Sequence, residues 1–238
     1  MSDAKTLRLV AHRLLPLLDL SSLDEDENAI RALCRAARTP AGNIAALCVS
    51  PDFVAISKQT LRGSGIAVAA MVETPEAARA AIAAGADEID LVLPEGAGAE
   101  AVRATRAAIG RKPLLKVILE TGRLAGTAAI RAAATAAIEG GADFLVTSSE
   151  NHQPGASLEA AAAMLGVIAE ARRRRQWVGF KPAGGIRTLS EAQPYLALYD
   201  RIIGDGAAGA ANFRLGAGPL LNDLMIALGL PSPNGGNP

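Results

Sequence analysis

Short apolar runs recur about every 25–30 residues along this 238-residue chain, and Ala-rich stretches of helical period separate them. Such a run is long enough for a strand buried on both faces and too short for a helix. Strands that alternate with helices build βαβ units and a parallel sheet. Eight runs are predicted as strands, at 15–20, 45–50, 66–72, 88–93, 114–119, 143–148, 177–181 and 211–216. Helices are predicted near 24–38, 52–62, 75–84, 98–109, 126–140, 157–175, 189–198 and 218–228. The pattern predicts an α/β fold, a single-domain (β/α)8 TIM barrel over residues 1–229. A doubly wound open sheet is the alternative, but no Gly-x-Gly-x-x-Gly follows the first strand. The turn-rich end, 230–238, is predicted as a flexible tail.

A faint internal repeat supports the unit. Ala-Ile-Ala-Ala-Gly85-Ala-Asp87-Glu-Ile matches Ala-Ile-Glu-Gly-Gly141-Ala-Asp143-Phe-Leu. Each copy reads as a helix end, a glycine cap and a strand start.

Composition narrows the function classes. Lys+Arg and Asp+Glu both number 24, so no net charge draws the chain to nucleic acid or an anionic membrane. Aromatic residues at 3% provide no base-stacking platform. Cys34 and Cys48 are the only cysteines, with neither zinc spacing nor a disulfide framework, which predicts a reducing cytoplasm. The amino terminus is polar and no secretory signal is visible. The Ala runs are broken by Arg, Glu and Gly well short of a membrane span.

Functional groups of such a barrel sit at the carboxyl ends of its strands. The sharpest candidate is Lys181, in Val-Gly-Phe-Lys181-Pro-Ala-Gly-Gly-Ile-Arg-Thr, where an apolar strand ends in an amine and opens into Gly184-Gly185. A buried lysine without a partner loses its proton and becomes a nucleophile for carbonyls. Lys116 and Glu120 share a face of the fifth strand, because residues an even number apart point to one side. Asp90, in the fourth strand, is placed to pair with lysines of neighbouring strands. A buried structural ion-pair network is the plainer reading of Asp90, Lys116 and Lys181. Asp19 reads first as a cap or turn residue, and Cys48 as a small buried hydrophobe. Arg172–Arg175 read as a solvated face favoured by a helix dipole. His12 and His152 have no evident partner, although His152 falls in a polar loop that could line the mouth.

Over nearly its whole length the chain resembles 2-deoxyribose-5-phosphate aldolase. The likeness lies in Leu-Asp19-Leu-Ser-Ser-Leu, Leu-Cys48-Val-Ser-Pro, Gly-Ala-Asp-Glu-Ile-Asp90, Leu-Leu-Lys116-Val-Ile-Leu-Glu-Thr-Gly, Gly-Phe-Lys181-Pro-Ala-Gly-Gly-Ile-Arg-Thr and Phe-Arg-Leu-Gly-Ala. The resemblance implies a (β/α)8 barrel with no metal or cofactor, often a homodimer. Its reaction joins acetaldehyde to glyceraldehyde 3-phosphate through a lysine Schiff base. That lysine belongs to a strand-six pattern, Asp-Phe-(Ile/Val)-Lys-Thr-Ser-Thr-Gly. This chain reads Asp143-Phe144-Leu145-Val146-Thr147-Ser148-Ser149-Glu150, with Val146 at the position of the amine. The family's phosphate-binding Ser pair is Gly218-Pro219 here, its Asn-Phe-Pro segment is Met71-Val72-Glu73, and Glu150 adds a negative charge near the mouth.

The expectation is therefore an aldolase-like lyase with an altered site. Its substrate is a small carbonyl or sugar-like compound, with little or no activity on 2-deoxyribose 5-phosphate. Lys181 is the catalytic amine, Lys116 lowers its pKa by repulsion, and Asp90 acts as acid and base through a water. Asp19, Cys48, Thr147, Gly184 and Gly185 are the substrate-binding candidates. The rival is a non-catalytic barrel kept as a binding or partner subunit, since losing the covalent nucleophile abolishes chemistry that depends on it.

Overall fold

A computed structural model describes residues 4–22, 26–94, 96–149 and 154–231. Seven strands form one curled parallel sheet: β1 Asp19–Ser22, β2 Ala46–Val49, β3 Ala67–Val72, β4 Glu88–Val92, β5 Leu114–Ile118, β6 Phe144–Val146 and β7 Gly179–Lys181. Each strand pairs with the one before it in the chain, so the order contains no reversal. A doubly wound sheet, which needs a reversal, is excluded. The helices are α1 Ala4–Leu14, α2 Glu27–Ala36, α3 Val54–Thr60, α4 Pro75–Ala83, α5 Ala99–Ile109, α6 Gly126–Glu139, α7 Leu158–Arg173, α8 Leu189–Ile203 and α9 Leu220–Leu228. None of the described helices is long and apolar enough to cross a membrane.

Several boundaries differ from expectation, each for a local reason. The first strand begins at Asp19, not residue 15, because Leu15–Leu17 form a 3-10 turn around Pro16, which has no N–H for a ladder. Helix α1 was not expected; it buries Ala11 and Leu14 and packs on α9. Helix α2 stops at Ala36, and Arg38–Thr39 pair with Gly42–Asn43 in a small antiparallel ladder. Helix α8 runs on to Ile203, past Pro194, burying Leu196, Leu198 and Tyr199. Of the predicted tail, 232–238 lie outside the described residues; Leu230 still bonds back to the Met225 carbonyl at 2.9 Å.

The eighth predicted strand is reduced to isolated bridges at Phe213, Leu215 and Gly216. Gly209 and Asn212 close a turn before it, where Asn212 Oδ1 accepts from Gly209 N at 2.8 Å, and Gly216 and Gly218 follow it. The extended stretch is therefore very short. Its hydrogen bonds nevertheless reach both edge strands. On one side Phe180 N donates to Asn212 O and Arg214 N to Phe180 O, both at 3.0 Å. On the other, Leu215 N donates to Leu17 O and Asp19 N to Leu215 O, both at 2.9 Å.

The repeat noticed in the sequence is a structural tie. Gly85 and Gly141 take φ of 105° and 100°, open to glycine alone at low cost, to turn each helix into the next strand. The following Asp then clasps the preceding strand. Asp87 N donates to Val68 O while its carboxylate accepts from Val68 N and from Lys58. Asp143 does the same with Leu115 and takes Arg106 as its cation.

Alternation along the strands divides the molecule into two interiors. Leu47, Val49, Val68, Ala70, Ile89, Leu91, Leu115, Val117, Leu145 and Phe180 join the main core beneath the helices. The residues between them, among them Asp19, Cys48, Ala69, Glu88, Asp90, Lys116, Phe144 and Lys181, face inside the curl. Phe144 fits there because its register partner is Gly179. A Cβ on Gly179 would stand 2.4 Å from the Phe144 ring. Gly179→Ala is expected to destabilise the fold by about 1–3 kcal/mol in urea denaturation, the usual cost of overpacking. Gly209→Ala, where an added Cβ meets nothing within 4 Å, should stay within about 0.5 kcal/mol of the parent.

Candidate functional site

Inside the curl, charges that sequence alternation places on separate strands meet in one cluster. Lys116 Nζ lies 2.5 Å from Asp19 Oδ2, 2.8 Å from Glu88 Oε2 and 2.8 Å from Asp90 Oδ1. Lys181 Nζ lies 2.8 Å from Asp90 Oδ2 and 2.9 Å from Asp19 Oδ2. Arg214 Nη2 lies 3.1 Å from Glu88 Oε1, with Nη1 3.8 Å from Asp19 Oδ2. Three cations thus face three carboxylates, and no side chain among them is more than 6% exposed. Arg214 also lies over the Phe144 ring, 5.7 Å from its centroid.

This arrangement corrects two expectations. Asp19 is no surface cap; it is fully buried and accepts from both lysines through one oxygen. Lys181 is on no strand adjacent to Asp90, and its side chain crosses the interior to reach it. The pairing also reverses the pKa argument. Burial favours the neutral amine of Lys181, but Asp19 and Asp90 outweigh both burial and the repulsion from Lys116, so its pKa lies above the ordinary lysine value. Lys116 follows the same logic more strongly: burial opposes its charge, and Asp19, Asp90 and Glu88 together raise its pKa well above the ordinary value. Burial pushes the Asp19 carboxyl up, yet Lys116, Lys181 and Arg214 hold it far below the usual carboxylate range.

Glu88 and Arg214 were not singled out from the sequence. Glu88 stands two residues before Asp90 and so shares its face. Arg214 is the one charged residue between the buried Phe213 and Leu215. Alternation would have found both.

Toward the mouth the interior turns apolar. Ile118, Val146 and Ala183 form a buried cluster of their own, with Met71 and Val92 against it. Val146 is the register partner of Ile118 on one side and Lys181 on the other. Lys181 therefore sits in the outer, apolar layer and sends its amine down to the charged one. Gly216 makes room for it, since a Cβ there would stand 3.0 Å from Lys181 Cε and 2.5 Å from Ala183 Cβ.

Around the rim, the remaining candidates take structural parts. Thr147 Oγ1 donates to Ala183 O at 2.8 Å and accepts from Ala183 N at 2.9 Å, tying β6 to the loop after β7. Cys48 is fully buried, and burial drives its thiol pKa well up. Gly184 and Gly185 have φ of 92° and 83°. Gly184 packs on Gly155 and accepts from Ala156 N at 2.9 Å, while a Cβ on Gly185 would meet nothing. Glu120 is buried at φ 48° and accepts from Ser149 N at 3.2 Å. The hydroxyls of Ser148 and Thr121 are buried with no hydrogen-bond partner among the described residues. Glu150 and His152 lie outside the described residues, and His12 is exposed on α1.

Two helix amino termini point to the same end. At α8 two carboxylates sit at the amino end: Glu191 Oε2 accepts from Arg187 N at 2.7 Å and from Thr188 N at 3.0 Å just before the helix, and Asp223 Oδ2 accepts from Leu189 N at 2.6 Å. At α9 the cap is Pro219, which has no N–H to offer.

Removing one member of the cluster should expose its energetics. Lys116→Met would leave three carboxylates with two cations, and a loss of about 3–5 kcal/mol is expected in urea denaturation. The exposed Lys112→Met should change stability by less than about 0.5 kcal/mol. The pH dependence has a definite sign. Folding lowers the Asp19 pKa, so its contribution is full above about pH 5 and is lost as pH falls further. Folding raises Lys116 and Lys181, so theirs is full below about pH 9 and is lost as pH rises through their folded pKa values. Stability should be level between those limits and fall on both sides.

No protein-family model matches the chain. Among solved structures it is similar to a Toxoplasma gondii ME49 protein assigned as a deoxyribose-phosphate aldolase, with TM-score 0.85 and 26% identity over 96% of this chain and 97% of that one. A Coccidioides immitis protein of the same assignment gives TM-score 0.71 and 26% identity, over 90% of this chain and 85% of that one. The deoxyribose phosphate aldolase of Aeropyrum pernix, a tetramer, shares the fold, with TM-score 0.71 and 19% identity over 93% and 97% of the two chains. The structural neighbours of this chain are thus deoxyribose-phosphate aldolases, and the likeness supports an aldolase-like lyase.

Proposed function

We propose that the chain is an aldolase-like lyase with an altered site. In this reading Lys181 is the amine left to form an imine, and the substrate is a small carbonyl compound without a phosphate. The observation that carries it is the register of Val146 beside Lys181. By resemblance Val146 occupies the place of the imine-forming lysine, and a branched hydrocarbon cannot add to a carbonyl. Lys181 is its immediate neighbour, and Asp90 at 2.8 Å can receive the proton released as the amine adds. The carbonyl oxygen then leaves as water. We read 212–216 as an eighth strand closing a (β/α)8 barrel, a reading supported by its hydrogen bonds to both edges of the sheet.

The missing phosphate follows from charge. Loops after the last two strands, with a helix amino terminus, commonly bind phosphate in such barrels. Here the Glu191 and Asp223 carboxylates already sit at the amino end of α8, and Pro219 brings no N–H to that of α9. A phosphate entering there would meet fixed carboxylates rather than free donors. Buried free thiols suit a reducing cytoplasm, and a homodimer accompanies the reading by family resemblance.

The second reading, a non-catalytic binding subunit, is favoured by the same ion pairs. An amine held as an ammonium by two carboxylates is a poor nucleophile at neutral pH. Borohydride trapping with acetaldehyde separates the two. Imine chemistry at Lys181 predicts a reduced adduct on its peptide that is sparse at pH 7, rises with pH as the small neutral fraction of the amine grows, and vanishes in Lys181→Met. A folded wild-type protein with no adduct at any pH supports the binding subunit. Adducts scattered over surface lysines, or ordinary turnover of 2-deoxyribose 5-phosphate, contradict the assignment of the site. Val146→Lys places two amines side by side, and their repulsion should depress one pKa. That variant is expected to be trapped readily at pH 7, where the parent adduct is sparse.

A further inference from the structure

We propose that the face at the amino end of β7 docks an acidic partner segment that carries an apolar anchor, with Trp177 at the centre of the contact. Trp177 is the only tryptophan of the chain, and it is 71% exposed. Tryptophan is usually well covered in a folded domain. The adjoining Val178 and Phe180 fill the core, and the indole adds nothing to it. It is nonetheless held in place, because the Arg172 guanidinium lies 4.8 Å from the ring centroid. A large aromatic group fixed in position on the surface loses little freedom when a partner covers it.

The ground on either side of the indole is concave. A hollow of about 450 Å³ runs from Trp177 and Arg172 to Ile202, Ile203 and Ala207 at the end of α8. A second, of about 340 Å³, runs from the same pair to Leu114, Phe144 and Val178 at the amino edge of the sheet, and its one carboxylate, Asp143, is already paired with Arg106. Both have room for an apolar side chain, and both share the Trp177–Arg172 stack.

Charge specifies the rest of the partner. Arg172 lies over the indole and Arg173 lines the first hollow beside it, with Arg174 and Arg175 next in the chain; among the described residues no ion pair is formed by Arg173, Arg174 or Arg175. Glu170, the nearby acid, is bound to Arg131 at 2.7 Å, and the charges of Arg131, Arg173 and Arg174 together hold its carboxyl below the ordinary value. The dipole of α7 accounts for basic residues in its last turn, up to Arg173. Arg175 lies just beyond the helix at φ 62°, in the left-handed position of a helix-ending turn in which Gln176 N donates back to Ala171 O at 3.1 Å. Guanidiniums with no direct ion pair are suited to carboxylates, which they hold through paired, charge-assisted hydrogen bonds. A single indole offers no series of stacking surfaces, so a single-stranded nucleic acid is the poorer fit. The face lies at the opposite end of the strands from Lys181 and Val146, so a docked partner would leave the mouth open and would tether the protein without blocking it.

The single indole makes the test direct. The probe is a blocked eight-residue peptide of alternating Glu and Leu, titrated into the full chain while tryptophan emission is recorded. A saturable blue shift is expected, at least tenfold weaker in 500 mM than in 50 mM salt. Labelled-peptide anisotropy should show at least tenfold weaker binding for Trp177→Ala and for the Arg173→Glu/Arg174→Glu pair, with unchanged circular dichroism in both. The proposal is overturned if no saturable shift occurs, if a Gln-for-Glu peptide binds equally well, or if an oligothymidylate binds more tightly. It is overturned as well if sedimentation shows that a second copy of the chain already covers Trp177 at the concentrations used.

Discussion

Three buried cations set against three buried carboxylates hold the inside of this sheet. Taking an ion out of water costs several kcal/mol unless an opposite charge meets it there. The six groups come from β1, β4, β5, β7 and the 212–216 segment. Asp19 and Asp90 sit on strands that are not neighbours, as do Asp90 and Lys181. They can meet only if the sheet curls until its ends approach each other. A flat sheet could still pair Lys116 with Asp90 and Glu88 on the neighbouring strand, but it would leave Asp19, Lys181 and Arg214 without their partners across the interior, so their burial requires the curl. Small residues make the contact feasible: Gly179 admits Phe144, and Gly216 admits the Lys181 stem.

The same pairing sets the chemistry. A nucleophilic lysine needs a lowered pKa, from burial without a partner or from a second cation. Lys181 has the burial and it has Lys116 nearby, yet Asp19 and Asp90 together dominate. An additional amine at residue 146 would tip that balance, and Val146 does the reverse by extending the apolar layer of Ile118 and Ala183 over the charges. The mouth thereby combines a hydrocarbon collar with a proton-bearing amine beneath it. Glu120, Thr121 and Ser148, just beyond β5 and β6, are buried as well.

Much of this was legible in the chain, for a physical reason. Period-two alternation marks a charge inside an apolar strand as inward-facing, and that alone singles out Asp90, Lys116 and Lys181. Their mutual distances were not legible, since they depend on how far the sheet curls. For that reason the sign of the Lys181 shift came out reversed. Asp19 looked like a cap because the polar run after it reads as a helix start, whereas the preceding Pro16 turn delays the strand and carries Asp19 inside. Glu88 was hidden by its neighbour Asp87, which is a structural clasp, and Arg214 by the shortness of its segment between glycines. The eighth strand failed for that last reason too: its backbone bonds both ways, but over too few residues to form a ladder.

The protonation state of Lys181 is the most direct measure of this account. In protein carrying 15N-labelled lysine, the side-chain nitrogen resonances can be followed against pH and assigned with Lys181→Met and Lys116→Met. The account predicts that the Lys181 resonance keeps its ammonium shift from pH 6 to beyond about pH 10, the ordinary lysine value, and that of Lys116 further still. A Lys181 resonance that titrates near neutrality would contradict it, and would mean that Asp19 and Asp90 do not hold the proton on this amine.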